Sequence, residues 1–244
     1  MRMQWAVLAG LTLAMSPAQA QQPSSLAAAA SAMGAVTSIQ YTASGLMYGF
    51  GQAFEPGGRW PKFIQSTYAV SINYQTPSMR LVTGRRQGEA PPRGGATQPI
   101  AGEQGAVNVV SDKYAWQEGG PQAAPLPGAA GDRLLQLWTT PHGVIKAAQA
   151  NSARVDGNTV SFTVEGRAVK ATLNAQNLVD KVTYLSSNEV VGDYPIEITY
   201  SDYADFGGVK FPRHIVQTDD AHPTLDITVK IGRASCRERV CLYV

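Results

Sequence analysis

The sequence predicts an α+β domain: one curved antiparallel sheet covered by helices. Three observations lead there. Short β-type runs with period-two alternation dominate, separated by Gly, Asn, Asp and Pro turn signals. Helical patterning is confined to residues 24–33 and 132–150. The order is helix, strands, helix pair, then a long antiparallel run.

The Ala-rich stretch 24–33 reads as a helix capped by Ser24 or Ser25 and stopped by Gly34. Residues 38–44 alternate Ile39, Tyr41 and Ala43. Residues 67–74 alternate Tyr68, Val70, Ile72 and Tyr74 with polar Ser71 and Asn73, which suits a sheet with one wet face. Residues 78–86 pair with them across Gln75-Thr76-Pro77. Residues 87–105 hold three prolines and five glycines with few apolar residues, and read as a long loop. A short hairpin follows at 107–111 and 113–117, then a second Pro/Gly/Ala-rich loop at 118–131.

In the helical region Leu134, Leu135, Leu137 and Trp138 make an apolar face. Thr140 then caps a second helix with Pro141 at its first position, where the missing N–H is harmless. From residue 153 the pattern is a meander, with strands at 153–156, 159–165, 168–174, 178–185, 194–202, 209–217 and 225–230. Pro195 points to an edge position or a bulge.

The two ends stand apart from this pattern. Arg2, an apolar run from Trp5 to Met15 and small residues before a cut after Ala20 read as a secretion signal over residues 1–20. Gln21 leaves no lipidation cysteine, so the expectation is a periplasmic or secreted protein with no stable membrane anchor. Residues 231–240 (I-G-R-A-S-C-R-E-R-V) resemble a translated sequencing adapter, so 231–244 is read as a non-native tail that does not pack as a regular part of the sheet. One domain then fills 21–230, a length that supports a well-buried core. Both cysteines, Cys236 and Cys241, fall in the tail, and the domain proper offers no disulfide or thiolate site. Losing Arg2, Arg233, Arg237 and Arg239 against Glu238 alone takes the formal charge from +2 to about −1. Nothing in that charge supports nucleic-acid binding.

Chemistry is sparse. No two of His142, His214 and His222 have metal-ligand spacing. His142 reads as a capping or surface residue at a helix start, His214 as a sheet-face residue, His222 as part of a turn. Asp219-Asp220 suits a solvated turn better than a cation site. No G-x-S-x-G elbow, phosphate loop or dinucleotide fingerprint occurs. The most suggestive feature is a Gly-rich loop with Arg85, Arg86 and Arg93, a setting for an anionic ligand or a partner's carboxylates. Tyr41, Tyr48, Phe50, Phe54, Trp60 and Phe63 either line an apolar cavity or form ordinary core.

Several phrases occur together in order: Arg85-Arg86-Gln87-Gly88 with Pro91-Pro92-Arg93-Gly94-Gly95; Gly102-Glu103-Gln104; Trp138 through Thr140-Pro141-His142-Gly143; and Asp202 through Pro212. As a set they resemble the N-terminal region of exported bacterial metallo-hydrolases of the metallo-β-lactamase (MBL) fold. The resemblance implies a curved half-barrel like that of periplasmic lipoprotein-carrier proteins, with helices against its concave face. It also implies an accessory domain for substrate positioning or assembly, truncated before its catalytic partner domain. The family's zinc motif, H-x-H-x-D-H, is absent from this chain. Zinc is therefore implied only for the longer parent, and no catalytic or metal residue carries over. The alternative is a stand-alone module that binds a lipid or lipoprotein. An apolar or anionic small molecule is the ligand class expected.

Overall fold

The computed structural model describes residues 25–92 and 99–235. Its strands, in chain order, are β1 (Ser38–Tyr48), β2 (Lys62–Asn73), β3 (Ser78–Gln87), β4 (Glu103–Ser111), β5 (Tyr114–Glu118), β6 (Ala124–Pro125), β7 (Arg154–Asp156), β8 (Thr159–Val164), β9 (Arg167–Leu173), β10 (Val179–Asn188), β11 (Gly192–Asp205), β12 (Lys210–Asp219) and β13 (His222–Ser235). Three α-helices accompany them: α1 (Leu26–Met33), α2 (Ala130–Trp138) and α3 (Pro141–Ala150). All thirteen strands belong to one sheet, ordered β6-β5-β4-β3-β2-β1-β13-β12-β11-β10-β9-β8-β7. Two antiparallel meanders, β1–β6 and β7–β13, thus join along a single seam between β1 and β13.

The sheet is strongly curved, and α2 demonstrates it. Strands β4 and β9 stand eight positions apart in the sheet, about 38 Å if it were flat. Yet adjacent residues of α2 reach both. The Arg133 guanidinium donates to the carbonyl oxygens of Val109 on β4 (2.8 Å) and Trp116 on β5 (2.6 Å), and to Asn108 Oδ1 (3.0 Å). Asp132 lies 3.6 Å from Arg167 on β9. A helix only about 10–12 Å across touches both arms only if the sheet folds around it. The expected architecture therefore stands: an α+β fold whose antiparallel sheet forms a half-barrel with the helices against its concave face.

The concave face carries the core. Leu134, Leu135 and Leu137 of α2 and Val144, Ile145, Ala147 and Ala148 of α3 pack on Val70, Ile72, Val160, Val169, Val182, Ile196 and Ile227 of the sheet. The convex face is wet and carries paired charges, including Arg80–Glu118 at 2.9 Å and Lys181–Glu197 at 3.2 Å. At α1 the Ser25 hydroxyl accepts from the Ala28 N–H at 3.0 Å, and Gly34 ends the helix at φ +82°. A side chain at Gly34 would also collide with the Gly208 carbonyl oxygen. Thr140 stands at the cap position of α3 as expected, but its hydroxyl does not cap. It donates to the Leu137 carbonyl (2.6 Å) and bonds the Tyr74 hydroxyl (2.8 Å), so it ties the α2–α3 turn to β2.

Several boundaries differ from those read in the sequence. β1 and β2 run longer than 38–44 and 67–74, because register shifts between Ala43 and Gly45 and between Gln65 and Thr67 break the alternation. β4 begins at Glu103, inside the stretch read as loop, because residues 103–106 find ready partners on β3. β11 is an interior strand, so Pro195 is not at an edge. It sits where β12 has already turned: its carbonyl accepts from the Asp220 N–H at 2.8 Å, and the missing N–H faces the same spent end. β13 continues past Lys230 to Ser235, against the expectation of no regular pairing from Ile231 on. After a register shift its last residues find unpaired backbone on β1, opposite Ser38–Gln40.

The clasp by Arg133 is testable. Arg133→Met keeps the apolar stem but strips two strand carbonyls of a charged donor. It is expected to lower unfolding stability by about 1.5–3 kcal/mol in a urea titration with unchanged slope. A loss below about 0.5 kcal/mol would show that the clasp adds nothing.

Candidate functional site

The strand directions set which loops share an end. The β1–β2, β3–β4, β10–β11 and β12–β13 connections all lie at one rim of the half-barrel. At this rim four rings stand in a row. Tyr194 of β11 meets Phe50 at 5.0 Å between centroids, Phe50 meets Trp60 at 5.0 Å, and Trp60 stacks on His222 at 4.6 Å. The row holds the β1–β2 loop across the ends of β12 and β13. Phe54 of that loop is 81% exposed, and Val190 at the β10–β11 tip is 90% exposed.

Beside this row the concave face is open. A cavity of about 440 Å³ runs between β1–β4, β12–β13 and the side of α2 that carries Gln136. Met47, Leu81, Ala106 and Leu225 give it an apolar lining, and Tyr68 forms its inner end. Its polar lining is mostly neutral: Gln65, Thr83, Gln104, Gln136, Gln217 and Thr224. Arg85 is the one charged side chain in the wall. The cavity narrows inward to a recess of about 40 Å³ that shares Tyr68, Gln136, Gln217 and Leu225 with it.

Beyond the recess the half-barrel is filled by tyrosines. The Tyr200 hydroxyl donates to the Thr139 carbonyl at 2.8 Å, and Tyr203 to the Val179 carbonyl at 2.6 Å. Tyr41 and Tyr68 stand side by side, 6.4 Å between ring centroids, and line the recess with Gln136. Burial pushes the Tyr68 phenol up to about 12, and it raises Tyr41, Tyr74 and Tyr200 as well, so all stay neutral hydroxyls. The concave face is thus largely filled by tyrosines around the α2–α3 turn and hollow toward the rim.

The arginines expected to act together are separated. Arg85 and Arg86 are consecutive residues of β3, not of a mobile loop, so strand alternation sends them to opposite faces. Arg85 enters the cavity wall. Arg86 is exposed and pairs in register with Glu103 on the convex side. Arg93 lies outside the described residues. Of the aromatic candidates, Tyr41 lines the recess and Phe63 is buried under the Arg85 guanidinium, 5.1 Å from its ring centre. Cavity-lining Gln65, Gln104, Gln136 and Gln217 had no local signal in the sequence. They come from four elements and only the fold gathers them.

His142 is neither capping nor exposed: it is 3% exposed and lies flat beside Phe211. Its Nε2 is 3.1 Å from the Met33 carbonyl oxygen. A carbonyl only accepts, so Nε2 carries the proton and Nδ1 is an unpaired lone pair. His214 is the expected sheet-face residue, with Nε2 at 2.8 Å from Asp226 Oδ1. Asp219 is not the solvated turn residue expected: it is buried at the end of β12 and accepts from Gln217 and Thr224, each at 2.8 Å, and only Asp220 lies exposed in the turn. Among the described residues no three His, Cys, Asp or Glu side chains gather to hold a metal ion. No described helix is long and apolar enough to cross a membrane.

No family model matches the chain, and no curated protein matches it. Among solved structures, a LolA superfamily protein from Nitrosomonas europaea is similar over 80% of this chain and 85% of its own, at 13% identity and a TM-score of 0.43.

The buried histidine gives this half of the molecule a pH signature. Burial lowers the His142 pKa to about 4, below the 6.5 of an unfolded histidine. Between those values the unfolded chain binds a proton that the folded one refuses. Stability from this residue is therefore complete above pH 6.5 and lost as pH falls toward 4. Denaturant titrations of the wild type and His142→Gln, which retains a donor for Met33, should diverge over that window by up to about 1.4 kcal/mol per pH unit. Parallel curves would show that His142 does not titrate this way.

Proposed function

We propose that this chain is a binding module that holds an apolar small molecule in the outer half of its half-barrel. One observation carries the reading: the sheet and α2 border an open cavity of about 440 Å³ whose wall mixes Met47, Leu81, Ala106 and Leu225 with neutral polar side chains, and which narrows inward to a small recess among tyrosines. Interiors are normally packed to high density, and a retained hollow of that size is in the range of ligand sites. In this reading residues 1–20 serve as a leader that carries the module out of the cytoplasm.

A second reading puts the same module in front of a zinc-dependent MBL-fold hydrolase as its accessory domain. The ordered phrases of the sequence support it. They fall in two places in the fold: Arg85-Arg86-Gln87 and Gly102-Glu103-Gln104 at the rim, and Thr140-Pro141-His142-Gly143 packed with Phe211 at the opposite side. Zinc belongs to the downstream domain in this reading. Recovering the source DNA beyond Lys230 tests it, and a continuing frame without H-x-H-x-D-H ends it.

The binding reading is tested by filling the cavity. Ala106→Trp and Leu81→Trp occupy the hollow from two strands. A naphthylamine dye that fluoresces in apolar surroundings should bind the wild type, and each substitution should weaken it at least tenfold while thermal unfolding shows a folded protein. Equal dye binding by all three proteins would place the dye elsewhere and remove the cavity's role.

A further inference from the structure

Among the described residues, the cavity wall contains a charge without a counter-charge. Arg85 is half-buried, stacked on Phe63, and its one hydrogen bond among the described residues is to a neutral acceptor, Gln104 Oε1, at 3.3 Å. A guanidinium has five N–H donors. No carboxylate among the described residues forms an ion pair with it, although Arg59, Arg80, Arg154 and Arg167 each have one. The neighbouring residues 93–98, which are not described, contain no Asp or Glu, and neither does the cavity lining. The guanidinium keeps spare donors at the mouth of the cavity, and its shape matches a carboxylate or phosphate.

The apolar part of the lining has a direction relative to this charge. Along β3 the inward-facing residues run Arg85, Thr83, Leu81 from the rim to the interior, so Leu81 stands about 13 Å deeper than Arg85. The hollow ends at Tyr68, where the recess is too small for a second chain. At about 30 Å³ per water-sized group, 440 Å³ accommodates roughly fifteen such groups. That is one chain with its head, not the two or three chains of a membrane lipid.

We infer that the cavity takes a single-chain amphiphile with an anionic head, carboxylate or phosphate, the head on Arg85 at the rim and the chain running inward past Leu81 and Leu225 to Tyr68. This rests on the binding reading above and names its ligand class. The test is calorimetric titration of the whole protein with decanoate, decyl phosphate and decanol, each below its aggregation limit. Both anions should bind at least tenfold more tightly than decanol, and the tighter of them identifies the head group. Arg85→Gln should bring the anions down to the affinity of decanol and leave decanol unchanged. In the wild type, added salt should weaken the anions and not decanol, a readout that needs no folded variant. Equal, salt-independent binding of all three ligands overturns the anionic head while leaving the binding reading intact. Loss of decanol binding in a folded Arg85→Gln protein also overturns it, because the residue then only shapes the wall. If none of the three binds, the binding reading itself fails.

Discussion

Helix α2 is the axle of this structure. An open antiparallel sheet of this size has no intrinsic reason to stop at a particular curvature, since it lacks the closing ladder of a barrel. Here the curvature is fixed by what the helix demands from both arms. Arg133 needs acceptors, and two strand carbonyls of β4 and β5 supply them. Asp132, one residue earlier, faces Arg167 across the opening on β9. Leu134, Leu135 and Leu137, which follow them, need apolar cover from the sheet centre. The exposed Asp132–Arg167 pair adds little energy of its own. The buried leucines and the Arg133 bonds set the radius.

That radius leaves the helices too short to fill the concave face. α2 and α3 meet at a turn whose Thr139 and Thr140 engage Tyr200 and Tyr74, and this junction occupies the deep half. Tyrosine suits the position because its ring fills apolar space while its hydroxyl meets the loose carbonyls of a helix end. Toward the rim no described helix follows, and glutamines with Met47, Leu81 and Leu225 line the space instead. Plugged and hollow halves are therefore two results of one helix length.

How much of this was legible in the sequence depends on distance along the chain. Tyr68, Val70 and Ile72 announced their strand because alternation is local. The same strand was cut short at residue 67, where the bulge beside Gln65 reverses the faces and erases the signal. Ser25 and Gly34 marked α1 because caps are local too. His142 misled, since a histidine after Thr-Pro looks like a helix start in water, and its partner carbonyl is 109 residues away. Arg85 and Arg86 looked like a pair until β3 turned them back to back. The cavity belongs to no segment at all, because its walls come from six strands and a helix.

The seam between β1 and β13 has a consequence for the order of assembly. Thr42 on the first strand and Lys230 on the last are joined by a hydrogen bond across 188 residues. Closing a loop of that length carries an entropy penalty on the order of 4–5 kcal/mol. The two meanders can each form locally, but they cannot become one sheet until β13 exists. In the finished molecule the free edges are β6 and β7, two and three residues long. Before β13 emerges, β1 and β12 are edges of eleven and ten residues with unpaired backbone. Such edges pair readily with other chains. The interval between the emergence of β1 and that of β13 is therefore when this protein most needs a chaperone's cover.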